Sequence, residues 1–573
     1  MRPVVPVLLG LPLLAPACAA RGPSGSDAPD VGSAVDAAGE TEPEAGPGAG
    51  HGSTGRDASG PLADAGALAC PMLQLGAGPA SRWAYVDAPG HLAYGTLPRG
   101  ERLLDFSTAG YMGGGVAIPT AAVRETVQPS GGDDTAAIQA AIDAVSAMPA
   151  TGGVRGAVLL APGTFRVDGT LAIATSGVVL RGSGSGSGGT LLSIGGSPRT
   201  VITMGGHGSW ATTGTAIDVS DDYVPSGAFS VHVASAAGLA PGMPVLVVRP
   251  VTAAWIHFMG MDTLVRNGAP ETWIAAGATV RADRTVTAIA GDRLTFDAPI
   301  AETWDVSTWG AGAPRATVQP YTFAGRIEQV GLESMHLVAP GQTVPINQPT
   351  FGVLAASALR NAWVRDVSAD EFTSGFTVLG SAKWMTIEDS RVARTAPIDH
   401  SAGYPFQYSV DGQGILVQRC TSTGDDVFSY ATQDRATGPN VVLGLSASGT
   451  HTNLQPHQRW ATGLLIDGAS TPTGGIALMD RGWDGSGHGW AIGFGVVWNS
   501  VAQGLLVQQP PGAKNWSIGA AGTQTTAGAP GGDGGLLPQG LIDSPGTAVA
   551  PHSLYLAQLC ERLGPAALAA IGY

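Results

Sequence analysis

Charged side chains are scarce in this chain: Asp, Glu, Lys and Arg together make up 13% of its 573 residues. The formal net charge is −15 and no Lys/Arg-rich run occurs. This argues against a nucleic-acid surface, which needs clustered cations to displace counterions from phosphates. A polyanionic ligand would have to be met by a local basic patch, because the overall field repels it. Cysteine is rare as well, four in the chain, and neither these nor the histidines show zinc-site spacing. Beyond the N-terminal leader no apolar run is long enough to span a bilayer. Glycine, by contrast, is abundant at 85 residues. With so little charge, that is the composition of many short strands joined by tight bends rather than of long helices.

Residues 1–18 read as Met1-Arg2, an apolar run through Leu14, then Ala15-Pro16-Ala17-Cys18, the pattern of a secretory signal peptide. The segment resembles a bacterial lipobox, although Ala15 stands where that pattern favours Leu. It implies a lipid anchor at Cys18 on a bacterial outer membrane, with simple cleavage and a secreted or periplasmic protein as the alternative. Residues 19–69 hold Gly, Ala, Pro, Ser and acidic side chains with almost no large apolar groups, so a disordered tether is expected there. Cys70 and Cys560 flank the folded region, 70–573. A bridge between them and unpaired, buried thiols both fit the sequence.

From Val127 the chain runs VQPSGGDDTAAIQAAIDAVSAMPATGGVRGAVLLAPGTFRVDGTLAIATSGVVLRGSG. Asp133, Asp134 and Thr135 can cap a helix whose apolar positions Ile138, Ala141, Ile142 and Val145 share one face. A buried strand over residues 157–160, a turn at Pro162-Gly163 and further strands through Phe165, Leu171 and Val178 follow, the alternation of a solenoid. On DDTAAIQAAID, GAVLLAPGTFRVDGTL and SGVVLRG the chain resembles the N-terminal cap and first coils of the pectate-lyase-like β-helix superfamily. The resemblance implies an all-β, right-handed parallel β-helix with an N-terminal capping helix. It leaves the reaction open, because that superfamily holds lyases, hydrolases, epimerases and non-enzymatic surface proteins.

Between about Met204 and Pro320 longer alternating strands such as MPVLVVRP and TVTAIAGDRLTFDAPI appear, with Gly291-Asp292 suited to a hairpin. They predict an inserted antiparallel β-subdomain that packs against the solenoid. From Ile327 short apolar strands ending in polar turns recur at roughly twenty to thirty residues, as stacked solenoid units do. Side chains alternate along each strand, so an outer polar face is expected to receive an extended glycan.

The segment from Pro456 to Asn515 contains PHQRWATGLL, MDRGWDGSGHGW, VVWNS and AKNW. Coils of parallel β-structure stack about 4.8 Å apart, so matching positions on successive coils become neighbours. That would create a basic patch interleaved with indoles. Aromatic rings cover the apolar faces of sugars, and guanidinium groups bind carboxylates in a bidentate fashion. Trp460, Trp483, Trp490, Trp498, Lys514 and Asn515, with Tyr404 and His400, are the candidate substrate-binding residues, core packing being the alternative for the tryptophans. β-Elimination from a uronate needs a cation on the C5 carboxylate, a base for the adjacent proton and an acid for the leaving oxygen. His457 or His488 supplies the base, Arg459 and Arg481 the cations, and Tyr408 or Tyr404 the acid.

Two carboxylate groupings keep hydrolysis in view. Asp425-Asp426 in STGDDVFSY resembles the paired acids of polygalacturonase-like glycosidases, without that family's further pattern. Asp480 and Asp484 form a second pair. A Ca²⁺ ion, common among pectate-lyase-like lyases, would draw on Asp366, Asp389, Asp425 and Asp426 from adjacent coils, Asp425 and Asp426 first. The expectation is therefore an exported polysaccharide lyase acting on an acidic, uronate-containing polysaccharide. A glycoside hydrolase is the alternative, and a non-enzymatic glycan-binding surface protein comes third.

Overall fold

A computed structural model describes Cys70 and residues 78–573, apart from Asp533. The signal peptide, Cys18 and the tether expected at 19–69 lie outside the described residues. What is described is a right-handed parallel β-helix with a capping helix and an inserted antiparallel subdomain.

The cap forms where the apolar spacing places it. Thr135–Ser146 is helical and buries Ile138, Ile142 and Val145 against the first coil. Asp133 is the capping carboxylate, accepting from the Thr135 N–H at 3.0 Å. Asp134 already has helical φ/ψ and instead accepts from the Ser130 and Arg166 N–H groups, tying the cap to the strand Gly163–Val167.

Each coil contributes a strand to three parallel sheets. In the first sheet Leu332, Val364, Ile387, Val417, Val442, Ile466 and Val497 stand in register as an interior aliphatic ladder. In the third, Phe376, Tyr408 and Tyr430 form an interior aromatic ladder. The second sheet carries Ser368, Arg391, Thr421, Ser446 and Ser470 in register outside the core. On the first sheet Leu416, Val441, Leu465, Val496 and Trp516 point outward into a second apolar cluster, so from Leu416 onward this sheet is buried on both sides.

One conformation repeats at the corners from the first sheet to the second from Ser334 onward. Ser334, Asp366, Asp389, Arg419, Gly444, Gly468, Asn499, Gly519 and Ser544 all have φ between 44° and 64°, and each directly follows a residue of the register series Glu333, Arg365, Glu388, Gln418, Leu443, Asp467, Trp498, Ile518, Asp543. The left-handed region favours Gly and short polar side chains that bond locally, which accounts for most of these residues.

Residues 206–326 leave the solenoid after the third-sheet strand Thr200–Gly205 and return at Ile327–Val338. They build a sheet in which Pro244–Pro250 pairs antiparallel with Thr279–Ala290 and Thr317–Thr322. Gly291-Asp292 closes the expected hairpin, with Ala290 opposite Arg293. A buried ionic group joins this sheet to the coils: Asp283 accepts from Lys383 Nζ at 2.9 Å, Arg326 Nη1 at 2.8 Å and Tyr321 Oη at 2.8 Å. Burial alone would raise the Asp283 pKa; Lys383 and Arg326 hold it well below the usual carboxylate range.

A C-terminal helix, Leu554–Leu563, covers the outer face of the first sheet, and Cys560 on it is bridged to Cys70. Cys420 is a buried free thiol. The helix start is fixed by Asp467, fully buried, whose Oδ2 accepts from Ser553 Oγ at 2.7 Å and Tyr555 N–H at 2.9 Å. Burial pushes the Asp467 carboxyl up to about 7 despite these bonds. The folded protein therefore holds a proton that the unfolded chain releases near pH ~4, and stability falls as the pH rises from there through about 7. Asp467→Asn keeps an acceptor and removes the ionisation. The variant should melt with wild type at pH 4 and above it at pH 8, the stability difference reaching about 4 kcal/mol at most, in calorimetric scans. Equal melting at both pH values would contradict this account.

Candidate functional site

The turns that lead from the third sheet back to the first stack on one another. Backbone bonds run from Arg435 N to Arg459 O, from Arg459 N to His488 O and from Trp460 N to Trp490 O, at 2.8–3.0 Å. His457 N donates to Thr432 O at 3.0 Å. The inserted subdomain leaves the chain at this same turn position on an earlier coil, and it leans on the stack: Arg459 Nε donates to Trp273 O at 2.7 Å.

Stacking brings His457 and His488 together, ring centroids 4.4 Å apart, although thirty-one residues separate them in sequence. Phe406 and Phe428, register partners on adjacent third-sheet strands, lie 5.2 Å apart and both meet the half-buried His457 edge-on. Arg481 Nη1 donates to His457 O at 3.1 Å, and its guanidinium lies 5.8 Å from the Phe428 ring. Its ion pair with Asp484 is long, 3.6 Å.

Two bonds at Gln433 set the tautomer of His457. Gln433 Oε1 lies 2.9 Å from His457 Nδ1 and also accepts from Gln458 Nε2 at 3.1 Å. An acceptor at Nδ1 requires the proton there, which leaves the lone pair on Nε2. Burial, then Arg481, His488 and Arg459, hold the His457 pKa well below its ordinary value. His488 is pushed down to about 3 by burial and the same arginines, and its Nδ1 has no hydrogen-bond partner among the described residues. Both rings are therefore neutral near pH ~7.

Carboxyl groups in the stack shift the other way. Asp411, whose Oδ1 accepts from the Gln433 N–H, is pushed up to about 7 by burial and, to a lesser degree, by Asp434. Asp480 is pushed up to about 6 by burial, with Asp484 adding to the shift. The stack thus combines neutral imidazoles, guanidinium groups and carboxyls that hold protons close to neutrality, a composition suited to proton transfer.

Other expected residues lie elsewhere. Tyr408 belongs to the solenoid core; it is fully buried and its Oη donates to Ser390 O and Thr421 O, so no bound chain reaches that hydroxyl. Trp460, Trp490 and Trp498 are packing residues: none is more than 3% exposed, and their Nε1 atoms donate to Glu302, Met259 O and Pro551 O. Asn515 is fully buried, with Oδ1 accepting from Gly495 N–H and Nδ2 donating to Gln508 O. Trp483 is half-buried under Arg266, and Tyr404 packs edge-on against Phe428. Lys514 lines a cavity described below. His400 begins the short turn His400–Ala402, and its side chain is not among those described.

The four aspartates expected to hold Ca²⁺ do not fit that role. Asp366 and Asp389 occupy the left-handed corners, bonded to Ser185 and Arg419. Asp425 accepts from the Thr450 N–H and hydroxyl, and Asp426 pairs with His451. Among the described residues no three His, Cys, Asp or Glu side chains converge as metal ligands.

Asp411 and Gln433 were missed as site residues. A signal for them exists: Arg435-Ala436-Thr437-Gly438 and Arg459-Trp460-Ala461-Thr462-Gly463 share an Ala-Thr-Gly, and Thr437 pairs in register with Thr462. Aligning the coils on that tripeptide places Gln433 beside His457.

No protein-family profile and no curated protein matches the sequence. Solved structures with similar chain paths include the tailspike protein gp49 from Pseudomonas phage LKA1, at 12% identity over 72% of each chain, TM-score 0.37. The A-module of mannuronan C-5 epimerase AlgE6 from Azotobacter vinelandii is 15% identical over 69% of this chain and 71% of its own, TM-score 0.34. PfbA, a surface adhesin of Streptococcus pneumoniae, is 12% identical over 70% and 80%, TM-score 0.35.

The tautomer has a direct readout. In ¹⁵N spectra of histidine-labelled protein at pH 6, His457 should show a protonated Nδ1 and an unprotonated Nε2, assigned by its loss in His457→Ala. A cationic ring at that pH would contradict the geometry.

Proposed function

We propose that the chain is an exported polysaccharide lyase that cleaves an acidic, uronate-containing glycan by β-elimination at the His457 turn stack. The observation that carries this is a neutral imidazole whose Nδ1 bonds to Gln433, which leaves the lone pair on Nε2, in the field of Arg481 and Arg459. Arg459 and Arg481 neutralise the uronate carboxylate, which acidifies the C5 proton. His457 Nε2 takes that proton, the C4–O4 bond breaks, a C4–C5 double bond forms, and the departing oxygen is protonated by the Asp411 carboxyl. That carboxyl replaces Tyr408 in the acid role, because it still holds a proton near neutral pH.

A second reading has its own support. Asp411 and Asp480 both have raised pKa values on the same stack, and a carboxyl that stays protonated near neutrality can protonate a glycosidic oxygen in hydrolysis.

A screen against acidic polysaccharides, read by absorbance and by reducing ends, separates the two. Elimination yields an unsaturated product absorbing near ~235 nm; reducing ends without that absorbance would sink the lyase and promote the hydrolase. Binding without cleavage would favour a glycan-binding surface protein. With the lyase, His457→Ala should lose about 10²-fold or more in kcat, and alanine at Arg459, Arg481 or His488 should also lower turnover. Unchanged rates in all four, with folding intact, would place the chemistry elsewhere.

The acid role makes a separate demand on pH. Asp411 must be protonated to donate, so turnover should decline as pH rises through about 7. Asp411→Asn should be slower at every pH and lack that decline; a variant that keeps it would remove Asp411 from the mechanism.

A further inference from the structure

Two cavities lie side by side in the seam between the inserted subdomain and the turn stack, one of about 340 Å³ and one of about 490 Å³. Phe258, Met259, Pro511 and Gly512 line both, so the cavities form one cleft partitioned at that point. Phe258 is 40% exposed on the partition. It rests on Gly512, at φ +65°, where a Cβ would come within 3.0 Å of the ring.

The smaller cavity is mostly self-neutralised. Arg99 pairs with Asp305 at 2.5 Å and Arg249 with Glu302 at 2.7 Å. Tyr223 Oη donates to Glu101 Oε1 at 2.5 Å, while Glu101 Oε2 is buried without a partner among the described residues. Lys514 also lines this cavity, half-buried, and no described carboxylate forms an ion pair with it. After pairing, the cavity wall presents one ammonium, one carboxylate oxygen lacking a donor, and an exposed aromatic ring at its edge. A uronate sugar has the complementary set: a carboxylate for the ammonium, hydroxyl donors for the oxygen, and an apolar ring face for the phenyl. Cavities of this size suit a small ligand.

We propose that this seam cleft, which adjoins the turn stack at Asp480, is a second binding site that holds a uronate unit with its carboxylate on Lys514, a hydroxyl on Glu101 and its ring against Phe258. The ligand class rests on the uronate-glycan reading above. The larger cavity, with Asp480 in its wall, receives the adjoining sugar of the same chain.

Calorimetric titration in the His457→Ala background, where substrate is not consumed, tests this with trigalacturonate, trimannuronate and a neutral galactotriose as probes. At least one uronate trimer should bind, the neutral trimer at least tenfold more weakly. Adding Lys514→Met should weaken uronate binding at least tenfold, and Lys514→Arg should restore it to within threefold. Adding Phe258→Ala, at an exposed position that keeps the test available if Lys514→Met does not fold, should weaken binding at least threefold. No uronate binding, equal binding of the neutral trimer, or unchanged affinity in folded Lys514→Met would overturn the proposal. The two readings fail differently. With the lyase right and the cleft wrong, Lys514→Met alone cleaves and its trimer affinity in the His457→Ala background is unchanged. With the cleft right and the lyase wrong, trimers bind through Lys514 and no polymer yields unsaturated product.

Discussion

The left-handed corner between the first and second sheets is the constraint on which the rest depends. A single residue in that conformation redirects the chain at the same point of coil after coil, from Ser334 to Ser544. With the corners aligned, strand pairing keeps the residues of each coil above their counterparts, and the interior ladders of Val, Ile and Leu and of Phe376, Tyr408 and Tyr430 follow. The return turns inherit that alignment. This is why His457 and His488 meet, and why Gln433, one coil earlier, is available to set a tautomer.

The inserted subdomain turns the stack of turns into a site with walls. It emerges from the return-turn position and packs an indole cluster, Trp255 and Trp273 against Trp460, into the seam. Indoles that would serve as sugar platforms on an open surface are here consumed in joining two layers. Beside this seam His488 and Asp480 are also buried, and desolvation is the largest cause of the displaced proton affinities of both.

The capping helix, the solenoid alternation and the Gly291-Asp292 hairpin were legible because each rests on local periodicity or turn chemistry. The cluster of His457, His488, Arg459 and Arg481 was legible because stacked coils bring matching positions together. The sequence could not show which way each side chain points, since Trp498 in VVWNS and a surface indole look alike until the C-terminal helix is seen to cover that face. Asp366 and Asp389 misled for a related reason: a corner that needs the left-handed region selects Asp for its backbone preference, and that selection resembles a ligand pattern. Asp411 passed unnoticed because its significance lies in burial and in a bond to Gln433, neither of which leaves a motif.

A coil array has contacts only between neighbours, so it tends to fray from its ends inward, with terminal coils loosening before central ones. The bridge from Cys70 to Cys560 changes that. Cys560 sits on the helix packed along the first sheet and Cys70 near the opposite end of the described chain in sequence, so the chain between them closes into a covalent loop with a sequence separation of 490 residues. Loss of a coil beneath that helix must then strain a segment tethered at Cys560. The expected behaviour is a single concerted unfolding event under oxidising conditions and stepwise erosion once the bridge is reduced.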